Sequence, residues 1–190
     1  MCNGLRLHYL DWGDVQPKPL VLLHGLHGLH GHAHVWDTLA QDLGDSFHVL
    51  ALDMRGHGDS QWAPSGPYRF AENLADLEAL VERLSLGVLM LLGHGSGGAA
   101  AVAYAARHPD ITDALIVADS DLSPSGPGSQ RGPDSPAGSL DAVIEHLRTL
   151  QPNATDATLV HQASHLTREA PGGRRVWKRD PSAVAGYEQP

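Results

Sequence analysis

Apolar residues along this chain of 190 residues recur in two alternating rhythms. Short runs at 5–11, 19–23, 47–52, 88–92 and 114–118 have the length of strands. All but the first are apolar nearly throughout, the pattern of strands covered on both faces in a parallel sheet. Between them the spacing changes to that of helices. Val35, Leu39 and Leu43 stand four apart, Phe70, Leu74, Leu77, Val81 and Leu84 form one apolar stripe, and 97–107 is an alanine-rich helical segment. Strands alternating with helices predict an α/β protein, a mostly parallel β-sheet flanked by helices.

The pattern breaks at Ser120, after which 120–139 is rich in Ser, Pro and Gly and has no period. The chain therefore divides into a core at 1–121, a linker at 122–139 and a helical segment with a tail at 140–190. Ser139 is placed to cap a helix over 140–150, and Asn153 or Thr155 another that reaches about 166. No element is assigned from Pro171 onward.

A hydrophobic content of 42% supports one sizeable core. The net charge of −9 excludes a nucleic-acid surface, which needs clustered cations; Arg174, Arg175, Lys178 and Arg179 are too few and read as a solvated face. Cys2 is the only cysteine, so no intrachain disulfide forms. The segment 1–14 lacks the basic start and apolar centre of a secretory signal, and no run approaches the ~18 apolar residues of a membrane span. A cytoplasmic protein without membrane contact is expected.

The chemistry concentrates where the fourth strand turns into a helix, at Gly93-His94-Gly95-Ser96-Gly97-Gly98. A sharp strand-to-helix turn of the form GxSxG presents an attacking serine at its middle position. Here that position is Gly95, and Ser96 follows one residue later, where helix capping is its simpler role. The same glycines permit another reading. Gly93, Gly95 and Gly98 match a dinucleotide-binding turn, with Asp119 about twenty residues on at the end of the next strand. Closer to the amino end, His24, His27, His30, His32 and His34 crowd a thrice-written Leu-His-Gly unit. Imidazoles bind zinc, copper and nickel. No Cys or carboxylate of suitable spacing accompanies these, so adventitious capture is expected and no metal site is assigned.

Four features stand in order: His24-Gly25 after the second strand, Trp36 opening a helix, the segment Asp53-Met54-Arg55-Gly56-His57-Gly58-Asp59-Ser60 after the third, and the glycine-rich turn. Over about 5–119 they resemble the amino-terminal two thirds of an α/β-hydrolase of the serine-hydrolase type. That resemblance implies backbone N–H donors for an oxyanion from Leu26 and Ser96, with Leu29 as a rival supplied by the repeat. It makes the Asp53–Ser60 segment a turn-building element, and it makes 140–190, including Val176-Trp177-Lys178-Arg179-Asp180-Pro181, the start of a helical lid.

The family's acid and base fall after the part resembled. Asp119 or Asp121 is an alternative acid known in some relatives, an ordinary turn role being simpler, and His165 is read as lid helix. The implied function is hydrolysis of small ester-like or acyl substrates without a cofactor, absent or strongly impaired here because position 95 carries no hydroxyl. A non-catalytic module binding a small molecule in the same pocket is the alternative. A last strand at 114–118 lacking its further neighbours would be an exposed edge, from which self-association is expected.

Overall fold

The computed structural model describes residues 1–13, 18–26, 31–64, 68–120 and 138–185. Five strands form one sheet in the order β1-β3-β2-β4-β5: β1 (Tyr9–Trp12), β2 (Pro19–Leu23), β3 (His48–Leu52), β4 (Leu89–His94) and β5 (Thr112–Ala118). β1 runs antiparallel to β3 and every other pairing is parallel, which is the predicted mostly parallel α/β sheet. The first strand is shorter than its sequence pattern. Residues 2–5 instead close a small loop through a Cys2–Leu5 bridge, and pairing begins only where β1 meets β3.

Alternation along the strands builds two apolar layers. Val21, Leu23, Leu50 and Leu52 face one side, where they meet Leu74, Leu77 and Leu80 of α2 (Phe70–Leu84) and Ala100, Ala101 and Tyr104 of α3 (Ser96–Arg107). Leu20, Leu22, Val49 and Ala51 face the other, against Ala40 of α1 (Asp37–Leu43). Every residue of β2 is buried, so each of its leucines contributes roughly 1.5–3 kcal/mol of burial. α1 is preceded by a tight 3-10 turn at Ala33–Trp36, so the regular helix begins two residues later than the apolar spacing from Val35 suggests.

A smaller apolar cluster holds α4 (Leu140–Leu150) to α5 (Asp156–Leu166) through Val143, Leu147, Leu159 and Ala163. Ser139 caps α4 by accepting the Ala142 N–H (3.2 Å), and Thr155 rather than Asn153 caps α5 by accepting that of Thr158 (3.2 Å). After α5 the chain forms an antiparallel hairpin, β6 (Thr167–Ala170) and β7 (Arg174–Trp177), where the sequence pattern ended its helix at about 166 and assigned no element from Pro171 onward. α6 (Ser182–Ala185) closes the described chain. The linker predicted at 122–139 lies, but for its last two residues, outside the described residues. Among the described residues no helix is long and apolar enough to cross a membrane.

Candidate active site

The turn between β4 and α3 has the form its glycines permit. Gly95 adopts φ 55°, ψ −126°, a region closed to most side chains. Its N–H donates to the Ala118 carbonyl (3.1 Å), and its own carbonyl accepts from Gly98 N–H (3.0 Å). The flanking glycines serve close approach. A Cβ on Gly93 would lie 2.4 Å from the Gly97 carbonyl oxygen, one on Gly97 2.5 Å from the carbonyl oxygens of both Leu23 and His24, and one on Gly98 against the Ser120 hydroxyl. At Gly95 alone among these four the space is open, since a Cβ there would meet only the Gly25 Cα, at 3.5 Å. The turn thus keeps both the backbone and the room for a side chain at position 95 and lacks the side chain itself.

Ser96 does not cap α3. The cap position is Gly95 and no side chain fills that role; the Ser96 hydroxyl instead accepts the Leu26 N–H at 2.7 Å, and both residues are buried. The structure therefore joins Leu26 and Ser96, the two positions singled out as oxyanion donors, through a hydrogen bond that the sequence does not reveal. Local spacing favoured the cap, but the sharp turn at Gly95 swings the side chain across to the loop after β2.

Buried histidines brace that loop. His24 accepts the Met54 N–H at Nε2 (2.9 Å), which leaves the proton on Nδ1 to donate to the Gly25 carbonyl (2.9 Å). Burial pushes its pKa down and keeps it neutral. His57 lies between the Leu26 carbonyl (Nε2, 3.1 Å) and the Arg55 carbonyl (Nδ1, 3.1 Å), and burial lowers its pKa to about 3. A neutral imidazole has one N–H for these two acceptors. Sequence reasoning left His57 inside a turn motif; its reach of 31 residues to Leu26 is a tertiary fact.

The Asp53–Ser60 segment is a knot of internal bonds. Asp53 accepts from Ala33 N–H (2.6 Å), Asp59 N–H (3.0 Å) and the His8 ring (2.7 Å). These donors hold its pKa at about 2 against the opposing effect of burial, and the same contact raises that of His8. Arg55 makes a buried two-point pair with Asp76 of α2 (2.6 and 2.7 Å). Residues 178–180 dock on this turn and beside it: Asp180 N–H donates to the Gly56 carbonyl (2.8 Å), Lys178 to Asp59 (2.7 Å), and Tyr68 O–H to the Asp180 carboxylate (2.5 Å).

The remaining candidates are dispersed. Asp119 is left-handed (φ 45°) with a side chain 98% exposed, and its carboxylate is 4.0 Å from His94 Nε2. Asp121 and Leu29 lie outside the described residues. His165 is on the helix α5. Of the five clustered histidines, His27 and His30 lie outside the described residues; His24 spends one nitrogen on Gly25 and the other on Met54, whereas His34 turns toward Asp37 and α5. The expectation that no carboxylate joins these imidazoles is thus corrected, because Asp37, one turn beyond His34, does.

This chain belongs to the α/β hydrolase fold family, whose model matches residues 18–167. Among curated relatives, an esterase of Mycobacterium tuberculosis is 29% identical over 90% of this chain and 59% of its own length. An N-formylmaleamate deformylase of Pseudomonas putida is 32% identical over 74% of this chain and 50% of its own. The chain thus spans between half and three fifths of the length of these two. The solved structure of E-2-(acetamidomethylene)succinate hydrolase superposes with a TM-score of 0.78 at 23% identity, covering 97% of this chain and 68% of that one, which shows the shared fold.

Proposed function

We propose that this chain carries the acyl pocket of a hydrolase of small ester-like or acyl compounds, retaining the oxyanion cradle but binding its ligand with little or no turnover. One observation carries the reading: Gly95 holds the strained elbow backbone with open space where a hydroxymethyl group would stand. Two backbone donors aimed at a developing oxyanion supply several kcal/mol, about 3 kcal/mol for each donor removed. Such donors need no side chain, so the N–H groups of Leu26 and Ser96 outlast the loss of a nucleophile. The Ser96 hydroxyl that now accepts from Leu26 stands in for the oxygen of a bound carbonyl or carboxylate, and a ligand enters by displacing it. Two relatives are named an esterase and an N-formylmaleamate deformylase, which supports a small carbonyl compound as the ligand to try first.

A fluorophosphonate probe and p-nitrophenyl acetate test this directly. The wild-type chain is expected to remain unlabelled, with hydrolysis equal to that of Ser96→Ala. Covalent labelling at Ser96, together with turnover lost in Ser96→Ala, would show a displaced nucleophile and overturn the proposal. Gly95→Ser should fold, at a cost of about 1–3 kcal/mol for the left-handed backbone.

A further inference from the structure

His34, Asp37, His161 and His165 come together where the lid helix α5 crosses the turn that opens α1. His34 and Asp37 are three residues apart, and His161 and His165 are four apart on one face of α5. One donor atom from each lies within 4.8 Å of all the others. The Asp37 carboxylate is 3.0 Å from His34 Nδ1 and 2.8 Å from His161 Nε2. The His34 and His165 rings stack at 3.6 Å, and the His161 and His165 rings are 4.6 Å apart.

We propose that these four side chains form a binding site for one divalent transition-metal ion, Zn²⁺ above all, which fastens the lid helix to the core. Three imidazoles and one carboxylate converging from two elements are the donor set of a four-coordinate zinc site. Tetrahedral bonds of about 2.0–2.1 Å place donor atoms roughly 3.3 Å apart, so the observed spacings, all within 4.8 Å, need a contraction of up to about 1.5 Å. His34 and His161 already meet the carboxylate at hydrogen-bond distance, and a metal ion would take the place of the ring protons in those two contacts. His161 is 44% exposed and Asp37 only 18%, which gives the ion an entry from solvent and a shielded anionic partner.

His32 adds an independent observation. It is 2% exposed, its ring centroid is 6.2 Å from that of His34, and among the described residues neither of its ring nitrogens has a hydrogen-bond partner. The interior beside the site thus already holds an imidazole whose lone pair is unsatisfied, and a bound water or the metal's outer shell would meet it. The ligand pair His34 and Asp37 follows the loop carrying Leu26, so the metal would also fix the exit of that loop. The site is separate from the acyl pocket, and its test is independent of any hydrolysis.

The experiment uses the full chain purified without a histidine tag or metal resin and stripped with chelator. Co²⁺ titration should saturate at one equivalent with the intense visible bands of a tetrahedral complex, and Zn²⁺ should displace it. At a hundredfold excess over Kd, Zn²⁺ should raise Tm by about 5–10 °C. His161→Gln, an exposed position that folding tolerates, and Asp37→Asn should each weaken Zn²⁺ binding by more than about tenfold with unchanged far-ultraviolet circular dichroism. The double change His27→Ala with His30→Ala, in the Leu-His-Gly repeat, should leave stoichiometry and spectrum intact. The proposal falls if Zn²⁺ binds no tighter than millimolar. It falls equally if both His161→Gln and Asp37→Asn retain full affinity, or if the repeat variant loses it, because the repeat is then the binder.

Discussion

A methyl group on Gly97 would sit 2.5 Å from two backbone oxygens of the neighbouring strand end, neither of which can step aside without moving β2. Gly97→Ala is therefore expected to lower stability by about 3 kcal/mol or more. Gly95→Ala, whose new carbon has room, should lose only the roughly 1–3 kcal/mol of its backbone conformation. Urea titration of the two variants side by side checks the order; equal losses would mean that the turn relaxes. At this scale the sequence spoke clearly about backbone and poorly about side chains. Glycines at 93, 97 and 98 signal close approach because no other residue survives there. The hydroxyl of Ser96 was assigned to a helix cap because local spacing says nothing of a partner 70 residues away.

Among the elements, the Asp53–Ser60 turn links most of the site's supports, and its ionisable groups give it a pH signature. His57, at about 3 in the fold against an ordinary 6.5, stays neutral where the unfolded chain takes up a proton. Stability therefore falls as pH drops below about 6.5, by about 1.4 kcal/mol per unit from this group alone. His24 acts in the same direction. His8 is raised, so its contribution is fully present below 6.5 and is lost only as pH rises through its folded value. Asp53, lowered from 3.8 to about 2, holds until pH falls through that window. Urea midpoints should thus decline steadily from pH 6.5 to 5.5, above the ordinary carboxylate range; a flat profile there would contradict the neutral, bridging His57.

The β6–β7 hairpin escaped the hydrophobic pattern because its strands, Thr-Arg-Glu-Ala and Arg-Arg-Val-Trp, are short and charged and show no apolar alternation. The signal that was present is Pro171-Gly172-Gly173 between them, whose glycines both take positive φ (82° and 72°). By contrast, the five sheet strands and α2 were legible because burial on both faces, or along one stripe, leaves a periodic record.

Across the whole molecule the sheet ends unequally. Among the described residues β5 pairs only with β4, and Leu115, Ile116 and Val117 on it are 37%, 46% and 38% exposed. A free edge with apolar side chains is a template for another copy. Sedimentation of this 190-residue chain should show concentration-dependent association, relieved by Ile116→Lys. A wild-type monomer at high concentration would refute the expectation. The docking of Lys178 and Asp180 on the 53–60 turn is a second long-range feature, joining residues more than a hundred positions apart; the resemblance placed this segment in a lid, but only the folded chain shows what it grips.

The geometry at Gly95 is enforced by its neighbours. The strand end, the helix start and the glycines on either side hold the bend, and they leave room inside it for a side-chain carbon. Wherever a glycine codon ends in a pyrimidine, one first-base change writes serine. At this position a single nucleotide separates a bend without a side chain from the same bend carrying a hydroxyl.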